Sequence, residues 1–138
     1  MGDAQTLSIP AQNCTLSYSN DWSSNGDRSL KIYSNTNKTF YCGPQSTNLG
    51  IHNLCMGKTI QFQADINTNI PLYLRVYTNV NGTWTFQSVL ISSSSNDVTV
   101  TVDVPEDCSN LWFRVDSTKG YDDVTVYTDN WRLFILGG

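Results

Sequence analysis

The side chains able to do chemistry are unevenly spread along this chain. In the stretch PLYLRVYTNVNGTWTFQSVLI, Pro71 to Ile91, Tyr73, Arg75 and Tyr77 recur at every second position, and Trp84 and Phe86 follow an Asn81-Gly82 pair. Rings offer flat apolar faces and a guanidinium offers a planar fork of donors. Together they suit a ligand with apolar faces and a polar fringe. Material for acid–base or nucleophilic chemistry is thinner. His52 is the only histidine and lies in the loop-like stretch GIHN, where it reads as a turn residue. Nothing else in the chain supports a Ser-His-Asp arrangement. Asp122 and Asp123 are adjacent carboxylates in KGYDDV and read as solvent-facing. No catalytic residue is expected, and the chain is expected not to be an enzyme.

Four cysteines, Cys14, Cys42, Cys55 and Cys108, lack the C-x-x-C spacing of a zinc site. Their even count, in a chain poor in Lys and Glu, points to an oxidising compartment, with buried free thiols as the alternative. The 138 residues fit one domain with a real core. A formal charge of −4 and a pI near 4.6, with the basic residues scattered, argue against nucleic-acid or anionic-membrane partners. No apolar run approaches the roughly 20 residues needed to span a bilayer, and no basic-then-apolar leader opens the chain. The Met-Gly start and Gly-Gly end read as the cut edges of a domain from a longer polypeptide.

The elements that must carry these residues are strands. Apolar and polar positions alternate over short runs bounded by Asn, Asp, Gly, Ser and Pro. The expected strands are Gln5–Ile9, Cys14–Ser19, Arg28–Ser34, Thr39–Cys42, Lys58–Ile66, Leu72–Val80, Thr83–Ser92, Val98–Val104, Leu111–Asp116 and Val126–Leu136. No helix of normal length is expected. Ten short strands of this kind predict an antiparallel sandwich or barrel. Ile60, Phe62, Ala64 and Ile66 share one face of their strand, as do Val98, Val100, Val102 and Val104, and Leu111, Phe113 and Val115. Trp112, Arg114 and Asp116 fall on the opposite face of the last of these.

Asn-Gly is the strongest short signal for a two-residue type I′ turn, and such a turn sets the pairing register. Val80 then faces Thr83, Asn79 faces Trp84, Tyr77 faces Phe86, Arg75 faces Ser88, and Tyr73 faces Leu90. Tyr73, Arg75, Tyr77, Trp84 and Phe86 therefore share the outer face of one hairpin. Gln87 falls on the inner face beside Val76, where it would need a polar partner.

Several stretches resemble known motifs in the right order. NGDRSLKIYS, Asn25 to Ser34, resembles the "a-s-G-x-x-S-L-x-V" element of carbohydrate-binding modules of families 4, 9 and 22. TFYCGP, Thr39 to Pro44, resembles their "W-x-G-P" piece, with Tyr41 at the aromatic position. LCMGKTIQFQADI resembles "L-x-x-G-x-x-Y-x-x-S-x-x-V", with Ile60 or Phe62 standing for the aromatic. VYTDNWRLFIL, Val126 to Leu136, resembles the closing "f-y-v-D-n-v-x-L". The likeness runs from about Asn13 to Leu136. It departs at the start, where the acidic "N-G-x-F-E" opening is missing.

This resemblance implies an all-β fold, a two-sheet antiparallel β-sandwich of the jelly-roll, galactose-binding-domain-like kind. Arg28–Ser34, Lys58–Ile66, Val98–Val104 and Val126–Leu136 would form one sheet. Thr39–Cys42, Leu72–Val80, Thr83–Ser92 and Leu111–Asp116 would form the other. Tyr41, Tyr73, Arg75, Tyr77, Trp84, Phe86, Trp112, Arg114 and Asp116 would then gather on one concave face, where such modules hold a glycan. Rings would bury the C–H face of a pyranose, and Arg75, Arg114 and Asp116 would hold its hydroxyls, with a free energy of roughly −5 to −8 kcal/mol. The implied protein is a monomeric, non-catalytic, extracellular domain, secreted or displayed at a cell surface and tethered to others, that binds a polysaccharide or cell-wall glycan. The alternative is an adhesin or virion-type domain gripping a protein with the same surface.

Asp129, at the "D-n" of the closing motif, would bind a structural calcium ion near Ser29 or brace a turn. The implied topology also places Cys55 and Cys108 at one end of the sandwich, with Cys42, and suggests a Cys55–Cys108 disulfide.

Overall fold

Asn81 and Gly82 turn as their residue types require, with φ of 54° and 82°. Positive φ at both central positions is the condition for a type I′ turn. The Gly82 N–H donates to Asn79 Oδ1 at 2.9 Å, which braces the bend. The two flanking strands pair as the turn dictates: Tyr77 faces Phe86, Arg75 faces Ser88, and Asn79 faces Trp84.

The computed structural model describes residues 9–137. The expected strand Gln5–Ile9 lies outside the described residues except for Ile9. The elements are β1 (Ala11–Gln12), β2 (Thr15–Ser19), β3 (Ser29–Ser34), β4 (Tyr41–Cys42), α1 (Ser46–Leu49), α2 (His52–Cys55), β5 (Thr59–Asn67), β6 (Leu72–Val80), β7 (Thr83–Ile91), β8 (Ser95–Asp103), β9 (Cys108–Ser117) and β10 (Val124–Gly137). They form two five-stranded sheets, in the orders β1-β4-β9-β6-β7 and β2-β3-β10-β5-β8. Every pairing is antiparallel. The division into sheets is the one expected from the jelly-roll resemblance.

The alternating apolar sets meet between the sheets. Ile60, Phe62, Ala64 and Ile66 of β5 are buried, as are Leu72, Leu74 and Val76 of β6 and Leu111, Phe113 and Val115 of β9. Phe62 and Phe113 join the two layers with ring centroids 5.2 Å apart. Gln87 departs from expectation. Its strand, β7, is an edge strand, and a groove of about 390 Å³ opens between it and Thr101, Val102 and Asp103 of β8, so Gln87 is exposed to water and needs no buried partner.

The expected disulfide is also corrected, because all four cysteines are free. The Cys108 thiol donates to the Asn110 carbonyl at 3.1 Å and the Cys14 thiol to the Tyr41 carbonyl at 3.4 Å. Burial pushes the Cys14 thiol up to about 11, and raises Cys42 and Cys55 for the same reason. Thiols held protonated in this way act as small apolar core groups.

Gly43 decides how β4 joins its sheet. A Cβ there would lie 1.7 Å from the Phe113 carbonyl oxygen. Only glycine lets this strand end run so close to β9. That approach seats Tyr41 opposite Asp116.

Candidate functional site

Strand alternation and register put the candidate residues in rows. Across β4, β9, β6 and β7, one row reads Tyr41, Asp116, Tyr73 and Leu90. The next reads Arg114, Arg75 and Ser88, and the third Trp112, Tyr77 and Phe86. Trp84 ends a fourth row opposite Asn79. All nine residues expected from the sequence therefore share one sheet face.

Arg75 lies directly opposite Arg114, and like charges in that relation repel. Asp116, one row away, resolves the conflict. It is 3% exposed and accepts from both guanidiniums. Arg75 Nη1 reaches Oδ2 at 3.0 Å, while Arg114 donates through Nε to Oδ1 at 2.9 Å and through Nη2 to Oδ2 at 3.1 Å. The Tyr77 hydroxyl adds a bond to Oδ2 at 3.0 Å. Desolvation works against the Arg75 charge, but hydrogen bonds to Asp116 and Tyr77 and the Asp116 charge outweigh it and raise its pKa. Burial, then the Asp116 charge, raises the Tyr77 hydroxyl and keeps it a donor. Asp116 thus spends its lone pairs inside the protein, which differs from the hydroxyl-binding role its position suggested.

The rings complete the arrangement by sandwiching the cations. The Arg75 guanidinium carbon stands 4.0 Å from the Tyr73 centroid and 4.5 Å from that of Phe86. That of Arg114 stands 3.6 Å from Tyr41, 4.3 Å from Tyr77 and 4.6 Å from Trp112. Such contacts contribute roughly 0.5–2 kcal/mol each, more where water is excluded. Trp112 is held by its Nε1, which donates to the Gly43 carbonyl at 2.8 Å. Trp84 packs 5.9 Å from Trp112.

The face accordingly has two ends. At one, Trp84 and Phe86 are 38% and 49% exposed and present free ring surface. At the other, a cleft of about 380 Å³ opens between Tyr41, Tyr73, Arg75, Arg114 and Thr118, with Asp116 at its base. That volume falls within the range of small-ligand sites. The sequence reading missed two contributors. Leu90, 54% exposed, extends the Tyr73 row, and its place was already implied by the hairpin register. Thr118, just past the end of β9, had no sequence signal.

His52 does not belong to this site. Its Nε2 donates to the Cys108 carbonyl at 2.7 Å, and its Nδ1 lies 2.9 Å from Ser46 Oγ. Ser46 is fully buried and also accepts from the Leu111 N–H. The pair pins α1 and α2 to β9. Its serine has no route to a substrate, and no carboxylate orients its imidazole.

Asp129 lies at an irregularity of β10, where Asn130 has φ of 55°. Its Oδ2 accepts the Ser24 and Asn25 N–H groups, each at 2.9 Å, and its Oδ1 accepts the Asn130 N–H at 2.8 Å. These are the bonds of a loop brace, the second of the two roles considered for this residue. Ser29 Oγ is buried without a partner, but its residue faces no converging set of acids. Among the described residues no group of three His, Cys, Asp or Glu side chains converges on a metal position. A carboxylate committed to N–H donors does not fit a calcium ligand set.

No family model matches the chain, and no curated protein matches it by sequence. Solved structures do match it in fold. The CBM22-1 xylan-binding domain of Paenibacillus barcinonensis Xyn10C superposes with a TM-score of 0.71 at 11% identity, covering 100% of this chain and 90% of that one. A carbohydrate-binding module described as promiscuous in specificity, from the β-sandwich superfamily, gives 0.58 at 15% identity, covering 91% of this chain and 56% of that one. The Clostridium thermocellum Xyn10B CBM22-1–GH10 modules, complexed with xylohexaose, give 0.61 at 14% identity, covering 94% of this chain and 26% of that longer one. This chain therefore has the fold of the β-sandwich carbohydrate-binding modules, as its motifs suggested.

Proposed function

We propose that this chain is a non-catalytic carbohydrate-binding module that takes a polysaccharide or cell-wall glycan across the outer face of β4, β9, β6 and β7. One observation carries the reading. Two arginines are locked by Asp116 and by stacked rings beside a cleft, and exposed Trp84 and Phe86 continue the same surface. Fixed donors near ring faces match a pyranose, whose hydroxyl fringe needs hydrogen bonds and whose C–H face needs apolar cover. Preorganisation lowers the entropy cost of binding, because the guanidiniums are already immobilised. The module works outside the cell, tethered to other domains, as in the Clostridium thermocellum neighbour linked to a GH10 module.

A glycan array followed by calorimetric titration tests this. Trp84→Ala combined with Phe86→Ala is expected to weaken binding by about tenfold or more, since each ring contact contributes roughly 0.5–1.5 kcal/mol. Phe86 also stacks on Arg75 and Trp84 packs against Trp112, so a modest fall in melting temperature is expected, and circular dichroism would check that the fold is kept. Undiminished affinity in that variant would place the glycan elsewhere.

A further inference from the structure

Building on the glycan reading, and dependent on it, we propose that the cleft selects an acidic sugar, holding a uronate carboxylate on Arg75 and Arg114. The charge balance at the cleft leads to this ligand. Two guanidiniums line it and one carboxylate, Asp116, stands against them, which leaves one positive charge uncompensated. The surplus lies on a protein whose formal net charge is −4. It is local, and it is not part of a general attraction for polyanions.

Hydrogen-bond accounting points the same way. Asp116 has given its lone pairs to Arg75, Arg114 and Tyr77. Arg75 spends only Nη1, on Asp116 and the Tyr77 hydroxyl, and its Nε is buried with no partner. Arg114 spends Nε and Nη2, on Asp116 and the Tyr77 hydroxyl, which leaves Nη1. The cleft thus has unused N–H donors on Arg75 Nη2 and Arg114 Nη1, while its one carboxylate already accepts four bonds from inside the protein. Neither of these two nitrogens makes a hydrogen bond among the described residues, and a ligand acceptor in the cleft that meets them gains charge-assisted bonds. The planar fork of a guanidinium matches the two oxygens of a carboxylate in particular. Rings on either side hold both forks in place before the ligand arrives.

The experiment compares matched polymers. Xylan bearing glucuronate branches, polygalacturonate and alginate would each be titrated by calorimetry beside the same polymer after its carboxyls are reduced to alcohols. At least one uronate form is expected to bind about tenfold more tightly than its reduced counterpart, the gain of one charge-assisted contact. The gap should narrow in about 1 M sodium chloride, where the screening length falls to about 3 Å. It should also narrow in Arg75→Gln, checked for folding by circular dichroism.

Equal affinity for every acidic and reduced pair would overturn the acidic-sugar assignment and leave the glycan reading standing. A sulfated, carboxyl-free xylan bound as tightly as the best uronate would overturn the choice of a carboxylate. Binding to no polymer of the panel and to nothing on the array would overturn both readings. The wild-type comparison decides the matter even if the Arg75 variant fails to fold.

Discussion

Among the described residues the two sheets have the same number of strands and the same inward chemistry, yet their polar networks are charge opposites. On the sheet carrying the cleft, two arginines share one aspartate, Asp116. On the other, a single arginine, Arg132, is shared by two aspartates, Asp65 and Asp97. The second sheet's outer face mixes Lys31, Gln61, Gln63, Thr99, Thr101 and Thr125 with Tyr33, Tyr127 and Phe134, whereas the first gathers its rings around two arginines. The first network leaves donors over. In the second, Asp65 accepts the Asp97 N–H at 2.8 Å and the Ser24 hydroxyl at 2.6 Å, and it joins loops. A similar set of ion pairs thus leaves donors free beside a cleft on one face and braces loops on the other. Which carboxylate oxygens and N–H groups remain unspent makes the difference.

The sharpest way to break the comparison is Asp116→Ala. It strands two opposed guanidiniums and should cost about 3–5 kcal/mol of stability, the range for an unpaired buried charge. Urea denaturation would measure this. Adding Arg114→Met should restore part of the loss, whereas Gln63→Ala on the other sheet, which removes one acceptor of the Arg132 guanidinium, should cost only about 1 kcal/mol. If Asp116→Ala were as mild as Gln63→Ala, the network would not organise the face.

Next in size is Gly43→Ala, whose new methyl would collide with the Phe113 carbonyl. About 2–3 kcal/mol of destabilisation is expected. Glycan affinity should fall with it, because Tyr41 and Trp112 depend on the same close approach. An unchanged urea midpoint would show that β4 can move away without cost.

The smallest effect concerns acid. Burial works against the Asp65 charge, but bonds from the Asp97 N–H, Ser24 and Asn130, together with Arg132, hold its pKa below the usual carboxylate range. A lowered folded pKa stabilises above the ordinary aspartate value, about 3.9, and that contribution fades as pH falls toward the lowered one. Wild type should therefore lose stability below about pH 4. Asp65→Asn should be weaker by about 1 kcal/mol near neutrality and show a shallower acid slope. Parallel acid profiles for the two proteins would remove Asp65 from this role.

Much of this was legible because it is local. The Asn81-Gly82 bend, the alternation of Tyr73, Arg75 and Tyr77 against Leu72, Leu74 and Val76, and the outward set Trp112, Arg114 and Asp116 each follow from a period of two. Gln87 shows the limit of that logic. Period tells which side of a strand a residue faces, but not whether the opposite sheet closes on it or leaves a groove. The cysteines show another limit, since an even count does not tell whether sulfur atoms meet in bonding geometry.

By itself, then, the order of residues determined most of the strands, the hairpin register and the shared face of Tyr73, Arg75, Tyr77, Trp84 and Phe86, because backbone alternation and turn stereochemistry act over a few neighbouring positions. The family resemblance implied that Tyr41, Trp112, Arg114 and Asp116 join them. Only the tertiary arrangement decided that Asp116 serves the arginines, that Gly43 admits β4 beside β9, and that donors remain over in the cleft. Those outcomes depend on side chains from strands far apart in the chain, Tyr41 and Asp116 among them, and their pairing exists only once the sheet has closed.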